Sequence, residues 1–199
     1  MPTAGPSRLF RRVAFAIAVT AALLVTDLTA VSAAPARPPG LDGTWACTVP
    51  AGYVYDEIQH DHRCSQTSSV SPIYHLRTPA DGLTSCRTAP GFVFDQRTFT
   101  SACSPYVAGY PATTFRLRTP VDGLTSCATV PGWTYDLLTY TTTCQFSSGI
   151  PTSTYRIRQP ANGLWACTVP SGWTYTATTS GYDCSINSGS LSTKYQLIH

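Results

Sequence analysis

Charge is scarce in this chain: Asp, Glu, Lys and Arg together make up 12% of its 199 residues. It holds only four histidines and no Gly-x-Ser-x-Gly segment. That removes the nucleophile elbow of hydrolases and leaves few bases to activate its many hydroxyls. No apolar run reaches the roughly 20 residues needed to span a bilayer. The longest, residues 13–25, is thirteen residues long, all apolar except Thr20. Cysteines are present, but never as the close ligand pairs of zinc sites. These absences argue against an enzyme, a membrane-spanning protein and a metal protein, and no cofactor is expected.

The N-terminus has the layout of a secretory signal: Arg8, Arg11 and Arg12, then the apolar run, then small residues at Val31-Ser32-Ala33. Cleavage is expected after Ala33, which makes residues 1–33 a signal peptide. Arg11-Arg12 has poor flanks for a twin-arginine signal. Residues 34–40, Ala-Pro-Ala-Arg-Pro-Pro-Gly, form a Pro-rich spacer. The leader carries three of the thirteen Lys/Arg and one of the ten Asp/Glu, so the mature chain holds 10 basic and 9 acidic groups. Its net charge is near +1. The sequence therefore predicts a secreted monomer with no nucleic-acid partner and no stable membrane insertion after signal cleavage.

What the chain does have is repetition. Cys47/Cys64, Cys86/Cys103, Cys127/Cys144 and Cys167/Cys184 are each seventeen positions apart. A single repeat domain is read over 41–199, with units 42–80, 81–121, 122–161 and 162–199. Each unit opens with Asp-Gly or Asn-Gly (Asp42-Gly43, Asp81-Gly82, Asp122-Gly123, Asn162-Gly163) and reaches its first cysteine four residues after the glycine. A Pro/Gly turn follows, then an aromatic-x-aromatic pair: Tyr53/Tyr55, Phe92/Phe94, Trp133/Tyr135 and Trp173/Tyr175. Period two places both rings on one face of a strand. The second cysteine comes next, then a Ser/Pro/Gly-rich loop, then an alternating segment such as Phe115-Arg116-Leu117-Arg118. That alternation marks a half-buried strand.

Four short strands per unit are predicted, A to D, with the second cysteine on C. Pro-x-Asp-Gly between D and the next copy's A reads as a hairpin, which would start the physical module at strand D. If D pairs with A across every boundary, the last D strand (195–198) is left for the first A strand (44–49). The fold class expected is therefore all-β: four ~40-residue disulfide-stapled repeats closed into a four-bladed propeller-like ring. An open stack of small β modules is the alternative. Trp45 and Trp165, where the inner copies have Thr84 and Thr125, fit first-to-last packing in a ring. The period matches propeller repeats in length alone. Two regular cysteine schemes exist, within each copy or from each copy to the next, and within-copy bonding is expected because it staples every unit.

Candidate ligand-binding residues fall into two sets. Arg77, Arg116, Arg118, Arg156 and Arg158 share the polar face of the D strands and would make a basic stripe for phosphate or sulfate. Pairing with the recurring Asp56, Asp95 and Asp136 is the competing use. Tyr53, Phe92, Trp133 and Trp173 directly follow a turn, where rings can stack on sugars; core packing competes there too. His60-Asp61-His62 resembles a metal cluster, but the aligned positions hold Phe99, Tyr140 and Ser180, and Ser101, Thr142 and Tyr182. The function expected is a secreted, lectin-like, non-enzymatic binding protein with repeated sites for carbohydrate or a cell-envelope polymer. A secreted antagonist of a protein, using a C–D loop, and a structural envelope component are the alternatives.

Overall fold

The Asp/Asn-Gly pairs do not open hairpins between copies. In the computed structural model, which describes residues 40–146, 149–186 and 189–199, each acidic or amide side chain caps the last strand of its own unit. Asp42 accepts from the Thr78 N–H, Asp81 from Thr119, Asp122 from Gln159 and Asn162 from His199. The glycine that follows donates to the same strand, as Gly82 N–H does to the Leu117 carbonyl at 2.7 Å. Its φ of 79° lies in the left-handed region that Gly adopts without a Cβ clash. The leader 1–33 and the spacer residues 34–39 lie outside the described residues.

Because of that cap, strand D is the centre of a sheet built from its own copy. The first sheet comprises β1 (Trp45–Ala46), β2 (Val54–Asp61) and β3 (Ser71–Arg77), ordered β1-β3-β2 and antiparallel throughout. The second repeats this with β4 (Thr84–Ser85), β5 (Val93–Thr100) and β6 (Ala112–Arg118). The third uses β7 (Thr125–Ser126), β8 (Thr134–Thr141) and β9 (Thr152–Arg158), the fourth β10 (Trp165–Ala166), β11 (Thr174–Gly181) and β12 (Ser192–Ile198). Both edges of β12 are taken, by β10 and β11. Residues 195–198 therefore do not pair with 44–49, no sheet closes, and the ring expected from strand exchange is replaced by four separate sheets. Trp45 lies against His75 of its own unit, at 5.0 Å between ring centroids, and not against Trp165.

Strand C is also corrected: none of the second cysteines, Cys64, Cys103, Cys144 or Cys184, lies on a strand. In three units the cysteine ends a 3-10 turn: His62–Cys64, Ser101–Cys103 and Thr142–Cys144. Asp61, Thr100 and Thr141 start these turns by accepting the backbone N–H two residues on, a local bond that competes with strand pairing. The fourth unit has Gly181 at this position, with no side chain to accept. Cys184 accordingly sits in a plain turn, closed by the Ser185 N–H donating to the Tyr182 carbonyl at 3.1 Å. All four disulfides lie within their copies, as Cys47–Cys64, Cys86–Cys103, Cys127–Cys144 and Cys167–Cys184. Their Cα–Cα distances of 5.3 to 5.5 Å fall inside the range disulfides favour.

Successive sheets dock through one repeated contact. The N–H of each unit's first cysteine donates to an aromatic residue's carbonyl in the unit before: Cys86 to Tyr55 (2.8 Å), Cys127 to Phe94 (2.8 Å) and Cys167 to Tyr135 (2.7 Å). The carbonyl is available because β2, β5 and β8 each change register just after it, where a bulge frees backbone groups from the ladder. Apolar burial follows the same seams. Val54 of the first unit packs with Ala89 and Leu117 of the second, flanked by Leu83, Phe92 and Phe115. Each D strand sends one aliphatic side chain fully inside: Leu76, Leu117, Ile157 and Leu197. Among the described residues, no equivalent cysteine bond joins the fourth unit to the first. Among the described residues the seam bonds join each unit to the next in order, one to two, two to three and three to four.

Candidate binding surface

The D-strand arginines do not form a free basic stripe. The register shift places Asp95 between Arg116 and Arg118, which donate to its two carboxylate oxygens at 2.7 Å and 2.9 Å. Asp136 sits the same way between Arg156 and Arg158, and Asp56 between His75 and Arg77. Arg118 and Arg158 turn their Nε toward Asp81 and Asp122, so each network ends on the capping carboxylate. Burial opposes the charge on Asp136. The hydrogen bonds from Arg156 and Arg158, with their positive charges, outweigh it and hold the carboxyl below its ordinary value. Asp122 is lowered by the Arg158 hydrogen bond and the Gln159 N–H. Thr176 replaces the carboxylate in the fourth unit and faces Gln196. The arginines are thus committed internally, and a polyanion would have to compete with a carboxylate already in place.

The turn aromatics are partly core. Tyr53 is buried; Phe92 is half-buried against the seam of units one and two. Trp133 and Trp173 are half-buried, and Trp173 meets His199 at 5.1 Å. Tyr53 and Phe92 are brought together, lining a cleft of about 440 Å³ with Pro50, Pro90 and Arg87. The second ring of each pair stacks edge-on upon the D-strand aromatic, at 4.9 Å for Tyr55–Tyr74 and Phe94–Phe115 and 5.0 Å for Tyr135–Tyr155. His60 approaches the Pro105 carbonyl at 3.2 Å. Asp61 is engaged by Arg63, and His62 opens the 3-10 turn, so the strand alternation does not carry both imidazoles to one face. No group of His, Cys, Asp or Glu suited to hold a metal ion occurs among the described residues.

Apart from Tyr175 on β11, the exposed rings lie in and around the loops between the second cysteine and strand D. Tyr106, Val107 and Tyr110 stand out in the second unit, Phe146 (72% exposed) and Ile150 in the third, Ile186 and Leu191 in the fourth, and Val70 in the first. Phe99 and Tyr140 join them from the ends of β5 and β8, and Tyr182 from the last turn. The ends of β2, β5, β8 and β11 pair with the starts of β3, β6, β9 and β12, so these residues occupy the same end of every sheet. The third unit's loop touches the second unit's sheet: the Arg97 guanidinium of β5 lies 3.9 Å from the Phe146 ring centroid of unit three. Nε and Nη1 of Arg97 are buried without a hydrogen-bond partner. The rings of Phe94, Phe115 and Phe146 surround the charge instead. A shallow site of about 370 Å³ opens here between Arg97, Tyr140 and Phe146.

Sequence reasoning missed this row because the loops do not align between copies. The signal was large apolar residues inside otherwise Ser/Pro/Gly-rich segments, where no alternation requires them. Four disulfides, and the lack among the described residues of any helix long and apolar enough to cross a membrane, are consistent with an extracellular protein. No family model matches this chain, and no curated protein or solved structure matches it either.

Proposed function

We propose that this is a secreted, non-enzymatic binding protein that holds a carbohydrate or cell-envelope polymer along the loop edge of its four sheets. The observation that carries this reading is the exposed apolar and aromatic row at one end of every unit. Solvent-facing rings of this kind are costly unless they serve contact, and Tyr or Phe faces stack on the apolar faces of sugars. Weak sites repeated along one chain suit an extended ligand, because each further site binds at high effective concentration. Arg97, Tyr140 and Phe146 would form the centre of the row.

A second reading, a secreted antagonist gripping a protein with the same loops, is favoured by one feature. Val107, Ile150, Ile186 and Leu191 are aliphatic, and aliphatic side chains offer a sugar no stacking face. The test is retention of the mature protein on insoluble cell walls and polysaccharides, with elution by free sugar. The double change Tyr106→Ala/Tyr110→Ala should weaken retention several-fold while leaving the thermal midpoint unchanged; Phe146→Ala should weaken it as well, with some loss of stability because its ring covers the Arg97 guanidinium. Failure of the parent protein to bind any wall or glycan, with one protein partner co-purifying stoichiometrically, would decide for the antagonist.

A further inference from the structure

The contact that joins units three and four has both of its halves repeated at the two ends of the series. On the donor side, unit four docks with Trp165-Ala166-Cys167-Thr168-Val169-Pro170. Unit one presents the same six residues, Trp45-Ala46-Cys47-Thr48-Val49-Pro50. On the acceptor side, unit three offers Gly132-Trp133-Thr134-Tyr135, and unit four offers the identical Gly172-Trp173-Thr174-Tyr175. The other units differ: the donor faces of units two and three begin Thr84-Ser85 and Thr125-Ser126.

In the existing contact these residues bond directly. The Cys167 N–H donates to the Tyr135 carbonyl at 2.7 Å, and the Thr134 hydroxyl donates to the Thr168 carbonyl at 2.8 Å. Ala166 is 0% exposed and Thr134 is buried. In the first and fourth units the same groups are uncovered among the described residues. Tyr175 is 50% exposed, against 7% for Phe94 at the equivalent internal position. Thr174 and Cys47 are exposed and Ala46 is half-buried. Among the described residues, neither the Cys47 N–H nor the Tyr175 carbonyl has a partner across a seam.

We infer that the first unit of one chain docks on the fourth unit of a second copy, continuing the series head to tail. Cys47 N–H would meet the Tyr175 carbonyl, and Thr174 would meet Thr48. The argument for a second copy as occupant is continuity: the two uncovered faces are the halves of an interface the chain already forms within itself. Such a contact is heterologous, joining unlike patches, so it need not stop at two chains. It is weaker than the internal seam, where the Leu138 side chain is buried, because unit four has the polar Thr178 at that position. The association is therefore reversible and concentration-dependent. A monomer is what the sequence alone predicts; head-to-tail docking would replace it with reversible self-association.

The test uses the mature chain from residue 34 in analytical ultracentrifugation, up to a concentration on the order of 1 mM, where even a weak contact of ~4 kcal/mol is half-formed. Wild type should show a mass that rises with concentration past twice the monomer. Ala46→Arg blocks the donor face and Thr174→Arg the acceptor face, and each alone should remain monomeric. Mixed in equal amounts, the two should form a dimer of twice the monomer mass and go no further, since each retains one complementary face. Near-UV circular dichroism reports whether each variant keeps its fold; if Ala46→Arg does not, Thr48→Arg blocks the same face. A wild type that stays monomeric, its first unit covered by its own residues 34–39 or simply solvated, overturns the proposal. So does a dimer that survives both single changes, or a variant mixture that remains monomeric.

Discussion

Leu117→Ala should do more than loosen one unit. Leu117 is fully buried on β6 and shares its cluster with Val54 of the preceding unit and Ala89 of its own. Removing three carbons forfeits about 2.4 kcal/mol of transfer free energy at ~0.8 kcal/mol per methylene. The partly collapsed cavity adds roughly 1 kcal/mol more. A loss of about 3 to 4 kcal/mol in unit two would also disconnect unit one from units three and four, because stability in a linear array is carried by nearest-neighbour contacts. Urea unfolding followed by tryptophan fluorescence and by far-UV circular dichroism should therefore split into non-coincident transitions with a lower overall slope. Leu197→Ala deletes an equally buried side chain from the last unit, which has one neighbour. It should unfold that unit alone and leave the rest cooperative. The reasoning fails if Leu117→Ala costs under ~1 kcal/mol, or if both variants lower the midpoint equally with a single coincident transition.

Three further outcomes are expected. Asp136→Asn leaves Arg156 and Arg158 facing each other without a carboxylate; the cost should be roughly 2 kcal/mol, moderated because both guanidinia are partly solvated, and is read from urea midpoints at pH 7. The acid limb of stability follows from Asp122 and Asp136, both held below the ordinary 3.8 in the folded chain. Their contribution is complete above 3.8 and is lost as pH falls through the lowered folded values, so thermal midpoints should drop below about pH 4, less steeply in Asp136→Asn. Replacing Cys127 and Cys144 together by Ser should cost about 3 kcal/mol by chain-entropy reasoning, measured by denaturation of the otherwise oxidised protein.

The parts of the fold readable in the sequence were those set by local period. The cysteine offset identified the staples, and the alternation in Tyr155-Arg156-Ile157-Arg158 identified a strand with Ile157 inward and arginine outward. Which A strand that segment meets was not readable. In a tandem repeat the preceding and following copies offer nearly the same residues, so pairing D with either A satisfies the same pattern. The choice is made by Asp81 and its equivalents, whose side chains reach the end of their own unit's strand across about 38 residues. The Asp–Arg pairing was foreseeable as one of two uses of those charges. The bulge that brings Asp95 between Arg116 and Arg118 has no marker in the sequence, since it inserts one residue without a glycine. The loop row escaped for the opposite reason: its large apolar residues sit in loops that do not align between copies, so no period marks them.

The open series is the claim on which both the loop-edge reading and head-to-tail assembly rest, and amide hydrogen exchange at the four first cysteines tests it most directly. In dilute protein, the Cys86, Cys127 and Cys167 amides, bonded across seams at 2.8, 2.8 and 2.7 Å, should be strongly protected, while the Cys47 amide exchanges at close to the rate of an open strand edge. Equal protection of all four, independent of protein concentration, would mean that the fourth unit covers the first within one chain, and would contradict the open series.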